Sequence, residues 1–468
     1  MDISQKRVNR VIISAMTSGS GKTMVTCGFI RALKRRGLRV SARKCGPDYI
    51  DTMFHRTALS VPTGNLDPYF TDGDMLKYLL ASGCADSDIT VIEGVMGYYD
   101  GLGGVSSDCS TYEVSSLTDT PVILVADASG VSVTMAAMIK GVLDYKKDNN
   151  IKGIILNKVS PSFSDRLKGV IEKECGVKVL GFLEKLDDIS IKSRYLGLLQ
   201  PHETDSINDK LDLLADRLEK TADIDAILRI AEEAETLSDA APFKLAAVLN
   251  SKEADEVRKH RPLIAIARDE AFTFYYDDNI RLLEDLGADI RYFSPLKDKA
   301  LPEGTSGIIL YGGYPEAHAD TLSENKAMTE AIRSAVRAGM PVIAECGGFM
   351  YLCDSLKDAE GNTYKLCGCL PGQVYYEGKL TRFGYMEAAA LSDGLYGRKG
   401  TVFRGHEFHH YDCSDNGSDF EAHKPGRDIS YRCMFHTDTL AAGFPHIYAY
   451  TNPEMYLHYL KHATHLEK

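Results

Sequence analysis

The sequence predicts an α/β protein of two successive domains, each a mainly parallel sheet flanked by helices. Three observations lead there. Short β-branched runs alternate with longer amphipathic segments through the first half, and the alternation resumes after a charged helical stretch. A glycine-rich segment also joins the first strand to the first helix.

The elements follow in order. Val11 to Ser14 reads as a buried strand, TSGSGKT (17–23) as a loop, and from Thr23 the apolar Val25, Phe29, Ile30 and Leu33 recur at helical spacing. LRVSARK, DITVIEG, PVILVAD, GIILNKV and VKVLGFL are the later strands of this half. From about 206 to 260 the chain turns charged and helical, as in IDAILRIAEEAETL and SKEADEVRKHRP. We therefore expect a first domain over 1–240, a link over 241–262 and a second domain over 263–468. PLIAIARD, ADIRYFS, SGIILYGG and PVIAECGG form the second strand series, with helices near 274–286 and 321–338. The shorter spacing and frequent turn residues of 363–412 predict antiparallel strands.

A chain of 468 residues suffices for two or three well-formed cores. A net charge of -12 argues against nucleic acid as the main partner, although a local site can still be basic. The densest early basic group is Arg35, Arg36, Arg39, Arg43 and Lys44, of which the first three read as a solvated helix end. Eleven cysteines without regular spacing point to a reducing compartment. No run approaches the roughly 18 apolar residues that cross a bilayer. The expectation is a cytoplasmic protein with small-molecule partners, neither nucleic acid nor membrane, and monomer and homodimer both stay open.

The order strand, glycine loop, helix aims backbone N–H groups and the positive end of a helix dipole at one point, where a polyphosphate can sit. Ser18, Gly19, Ser20 and Gly21 would form the cradle, Lys22 would reach the β and γ phosphates, and the Thr23 hydroxyl would bind Mg²⁺. The full GxxxxGK[ST] pattern has glycine where Met16 stands, and the alternative is a structural glycine turn. In the second half, PVIAECGGFMYL places Cys346 on a tight turn between a strand and a helical run. A nucleophile on such an elbow is exposed, the Gly347 amide can donate to an oxyanion, and the helix N-terminus is expected to lower the thiol pKa. Gly312 and Gly313 end a neighbouring strand and offer a second donor. The base would be His406, His409, His436 or His446, and separation along the chain does not choose among them.

The stretches TSGSGKT, KCGPDYIDTMFH, GNLDPYF, IEGVMGYYDG, GIILNKV, RYLGLLQPHE, IARDEAFTFYYDDNI, LYGGYPEAHA, AECGGFMYL and RGHEFHHY, in this order, resemble the cobyrinic acid a,c-diamide synthase family. The resemblance implies a dethiobiotin synthetase-like P-loop domain, then a class I glutamine amidotransferase-like domain. It implies that ATP activates the a and c acetates of a corrin as acyl phosphates and that ammonia from glutamine displaces phosphate. It assigns Asp48, Asp51, Glu93 and Asp100 to the synthetase site, with Thr23 and Glu93 as the metal pair and Asp48 and Asp51 shared between metal and substrate. By the same resemblance Asn157 would read the adenine edge, with capping of the next helix as the competing role, and Arg194 would meet substrate. The motif shortly before Asn-Pro makes His446 the base. Tyr448 stands where many class I amidotransferases have the third, acidic member, and Glu407 is an alternative for orienting the imidazole. Two rivals remain: a diamide synthase for a nickel or metal-free sirohydrochlorin-type ring, and a non-catalytic amidotransferase-like binding protein.

Overall fold

Continuous apolar runs bury both faces of a strand only where helices cover a sheet on both sides. β1 (Arg10–Ala15), β2 (Val40–Cys45) and β4 (Ile89–Glu93) are buried along their whole length. With β3 (Asn65–Leu66), β5 (Val122–Asp127), β6 (Ile151–Asn157) and β7 (Lys178–Leu183) they form a seven-stranded sheet in the order β3-β2-β4-β1-β5-β6-β7. Every pairing in it is parallel. β1 is central: the chain leaves it to one side for β2 to β4 and to the other for β5 to β7. The crevice at the carboxyl ends of such a switch point is where open α/β sheets bind ligands.

In the computed structural model, which describes residues 5–84, 86–186 and 201–464, the chain divides into two compact units, Met1–Pro242 and Phe243–Lys468. Helices α1 (Lys22–Arg35) and α2 (Tyr49–Ala58) follow β1 and β2, and α3 (Pro201–Thr221) packs along α1 through the buried Leu211, Leu214 and Leu218. The two helices are also laced by Arg31–Asp212 at 2.8 Å, Arg35–Asp216 at 2.7 Å and Arg36–Glu219 at 2.6 Å. Arg35 and Arg36 are exposed at the end of α1, as expected, and there they pair with acidic side chains of α3. The charged stretch after 206 opens with helices of the first unit, and the segment expected as a link holds two helices, Phe243–Leu249 and Lys252–His260, counted with the second.

In the second unit, β8 (Leu263–Ala267), β9 (Asp289–Phe293), β10 (Thr305–Leu310), β11 (Val342–Glu345), β12 (Phe435–His436) and β13 (Leu440–Gly443) form a sheet in the order β9-β8-β10-β11-β13-β12. It is parallel except for its last pair. Beside it is an antiparallel five-stranded sheet of Ser430–Cys433, Phe420–His423, Arg382–Ala390, Val402–His409 and His446–Ile447. The helices foreseen near 274–286 and 321–338 are Asp277–Asp285, Ala319–Glu324 and Lys326–Arg337. Among the described residues no helix is long and apolar enough to cross a membrane.

Candidate active sites

β1 delivers the chain into a loop whose residues 17–19 are exposed and whose last residue, Gly21, precedes α1 at φ 95°. That left-handed conformation favours glycine, and a Cβ there would stand 2.1 Å from Asn157 Nδ2. Asn157 is the loop's brace: Nδ2 donates to the Ser20 carbonyl at 2.8 Å and Oδ1 accepts from the Lys158 amide at 3.0 Å. The N-cap position of the next helix is Ser160, so Asn157 does not have the capping role.

Lys22 donates to the Met96 carbonyl, and burial, aided by the nearby Lys44 charge, brings its ammonium down to about 8. Thr23 Oγ1 donates to Glu93 Oε1 at 2.7 Å. Glu93 is fully buried and also meets Lys44 Nζ at 3.3 Å and His55 Nε2 at 3.0 Å. Lys44 in turn pairs with Asp51 at 2.6 Å. Burial alone would raise the Glu93 carboxyl, but Lys44, His55 and Thr23 hold it below the usual carboxylate range. Asp48 caps α2, accepting from the Ile50 amide at 2.8 Å, and Asp100 accepts from the Gly97 amide at 2.8 Å. The structure thus brings Lys22, Thr23, Glu93 and Asp51 together and adds Lys44, read from the sequence only as one of a basic group, and His55, which the sequence did not single out. Arg194 lies outside the described residues. Among those described, no group of three or more His, Cys, Asp or Glu is arranged to hold a metal by itself.

In the second unit β11 ends at Glu345, and Cys346 turns the chain at φ 47°, ψ -107° into the short helix α4 (Gly347–Leu352). Its amide donates to the Gly443 carbonyl at 2.8 Å. A Cβ on Gly347 would lie 3.0 Å from the Gly313 nitrogen, and one on Gly312 would lie 2.3 Å from His446 Cε1. Elbow, glycine pair and imidazole therefore converge, each approach made possible by a missing side chain. Of the other histidines, His409 stacks on Phe444 with centroids 4.0 Å apart, and His436 Nε2 accepts from the Tyr396 amide at 3.0 Å. His406 faces His446 across the antiparallel ladder.

The expected lowering of the Cys346 thiol is not what the structure shows. Burial pushes the thiol up, the Glu316 and Glu345 carboxyls add to it, and only the Gly347 amide works the other way. A helix of six residues has too small a dipole to reverse this. Burial, with His406 and His409 nearby, takes the His446 imidazole down to about 3. Glu407 accepts from Lys424 at 2.6 Å and from Tyr431, and the Tyr448 hydroxyl donates to Asp278 at 3.0 Å.

Residues 11–196 match the CobQ/CobB/MinD/ParA nucleotide binding domain, and 263–430 match the CobB/CobQ-like glutamine amidotransferase domain. The chain is 38% identical over 447 residues to the cobyrinate a,c-diamide synthase of Caldanaerobacter subterraneus subsp. tengcongensis, covering 95% of this chain and 96% of that one. The chain belongs to the cobyrinate a,c-diamide synthase family. Family members so named in Listeria innocua serovar 6a (38% identical, 95% of this chain and 97% of that one) and Thermoplasma acidophilum (37%, 96% and 98%) are similar to it along almost their whole length. It is accordingly an enzyme, a glutamine-dependent amidotransferase ligase with a nucleotide-binding domain. Within this two-domain organisation of the family, the loop and Cys346 fall inside the matched ranges, whereas His446 lies beyond residue 430.

Proposed function

We propose that this chain amidates the a and c acetate carboxylates of cobyrinic acid, or its hydrogenobyrinate counterpart, in the cytoplasm, using ATP and nitrogen from glutamine through acyl phosphates. One observation carries the reading. A phosphate loop bonded to a buried glutamate, and a cysteine elbow facing close-approach glycines and a buried imidazole, occur in a single polypeptide.

In the second unit the Cys346 sulfur attacks the glutamine side-chain carbonyl as His446 takes the thiol proton. The imidazole is neutral at pH 7, the form able to accept it. The carbonyl electrons move onto oxygen, where the Gly313 and Gly347 amides receive the charge. Collapse breaks the C–N bond, His446 returns the proton to the departing ammonia, and a thioester remains. Water, deprotonated by His446, opens the thioester to glutamate and the free thiol.

In the first unit the Ser18 to Gly21 backbone and Lys22 hold the triphosphate. A substrate carboxylate oxygen attacks the γ phosphorus, ADP departs, and ammonia then displaces orthophosphate to leave the amide. The oxygen-rich donor set fits Mg²⁺. Thr23 donates its hydroxyl hydrogen bond to Glu93, so its oxygen lone pairs are left for a hard cation, while Glu93 with Asp48 would hold the ion's waters. Bound there, the ion would neutralise phosphate charge. Asp51, Asp100 and Arg194 serve the macrocycle, and Asn157 reaches the adenine edge only by exchanging its present bonds to the loop.

Mass spectrometry of products tests this. Cobyrinic or hydrogenobyrinic acid should gain two amides, each with one orthophosphate and one glutamate released. Amides appearing only on a sirohydrochlorin-type ring would overturn the substrate assignment.

A further inference from the structure

The segment 271–279 has no part in the steps above, yet it is bonded to both sides of the thiol site. The Ala271 carbonyl receives the Tyr314 amide at 2.9 Å, and the Phe274 amide donates to the Gly312 carbonyl at 3.0 Å. That carbonyl and the Gly313 N–H belong to one planar trans peptide and point opposite ways, so the Phe274 bond also sets the direction of the N–H. In the first turn of the helix Asp277–Asp285, Asn279 then reaches the strand that carries His446.

That strand, His446–Ile447, is the edge of its sheet, and its ladder runs to Val402–His409 through Gly405 opposite Ile447 and His406 opposite His446. Edge backbone groups that point away from the ladder need other partners when buried. Asn279 supplies them. It is fully buried, its Nδ2 donates to the Ile447 carbonyl at 2.7 Å, and its Oδ1 accepts from the Ala449 amide at 2.8 Å. A carbonyl and the amide two residues on lie along one edge of a strand, and a residue of a parallel neighbour would bond both. Here a single side-chain amide, donor and acceptor in one group, takes that place. Asp278 adds a second hold, its Oδ2 accepting from the Tyr448 hydroxyl at 3.0 Å, and the Tyr276 ring stands edge-on to that of Tyr448 with centroids 5.1 Å apart.

We propose that Asn279 is a positioning residue for His446, its side-chain amide holding the strand that carries the imidazole in register with Gly312 and Gly313. The inference rests on the reading of Cys346 and His446 as the glutaminase pair. Because Phe274 and Asn279 belong to one short segment, base and oxyanion donor are placed from the same piece of chain. A shift of the strand would carry the ring away from Gly312, where His446 Cε1 now lies 2.3 Å from the position a Cβ would take. Leucine, of similar size to asparagine, loses both hydrogen bonds, and serine keeps a hydroxyl too short to make the two together.

The test measures glutaminase kinetics and ammonia-driven amidation in the full chain for N279L, N279S and the double variant N279L/G312A. N279L should lose at least about tenfold in kcat with KM for glutamine within about threefold, as expected for a displaced base. Its ammonia-driven amidation should stay within about threefold of the unaltered chain. Since both changes act on one imidazole, the loss in N279L/G312A should fall well short of the product of the two single losses. A smaller fall in kcat, a loss confined to KM, or single losses that simply multiply would overturn the proposal. If N279L also loses ammonia-driven amidation its fold has failed, and N279S decides: a loss of at least about fivefold in kcat supports the proposal and a smaller one overturns it. Loss of ammonia-driven amidation in both single variants would overturn it as well, because Asn279 would then serve the fold at large. Absence of glutaminase in the unaltered chain would instead sink the parent reading.

Discussion

Cys346 sits at φ 47° in a buried turn, a conformation that costs a non-glycine residue about 1–3 kcal/mol and that persists only where the surroundings enforce it. Those surroundings also keep the thiol protonated. With its pKa pushed above the ordinary 9, alkylation of Cys346 should climb about tenfold per pH unit from pH 7 to 9. A rate already at its plateau below pH 7 would show a preformed thiolate. Gly312 is the matching point of close approach. A methyl group there would stand 2.3 Å from His446 Cε1, so G312A should lower glutaminase kcat by roughly a hundredfold with ammonia-driven amidation unchanged, measured side by side. The elbow was legible in PVIAECGG because a strand followed by paired glycines has a mechanical meaning in any chain. His446 was not, since four histidines were equal until the family resemblance chose one, and the contact that marks it, with Gly312, joins residues 134 apart.

At the scale of elements, β2, α2 and β4 meet through Lys44, which stands between Asp51 and Glu93 with 4 % of its surface exposed. In the sequence it read as one member of a basic group, and only the parallel pairing of β2 with β4, Lys44 opposite Glu93, turns it inward. Removing this cation leaves buried carboxylates without their partner, a change that typically costs about 3–5 kcal/mol. K44M should therefore lower the melting temperature of the nucleotide-binding unit by roughly 6–20 °C in calorimetry. An unchanged melting temperature would mean that the carboxylates tolerate its loss. The strands themselves were easy to read, because runs buried on both faces are continuous in the sequence. The charged segment over 241–262 was read as a link because its helices Phe243–Leu249 and Lys252–His260 bury only a few residues each, chiefly Leu245, Val248, Ala254 and Val257.

Across the whole molecule, the proposed function divides one reaction between the two units. On that reading the glycine loop of the first unit holds the phosphates, Cys346 of the second carries out acyl transfer, and ammonia produced by the second is consumed by the first. That division is the central claim, and it makes the nitrogen source separable from the activation step. The most direct test is C346S assayed with glutamine and then with ammonia. Glutamine-driven amidation should fall by at least about a thousandfold while ammonia-driven amidation stays within about threefold of the unaltered chain. Equal loss of both in a folded protein, or survival of the glutamine-driven reaction, would contradict it.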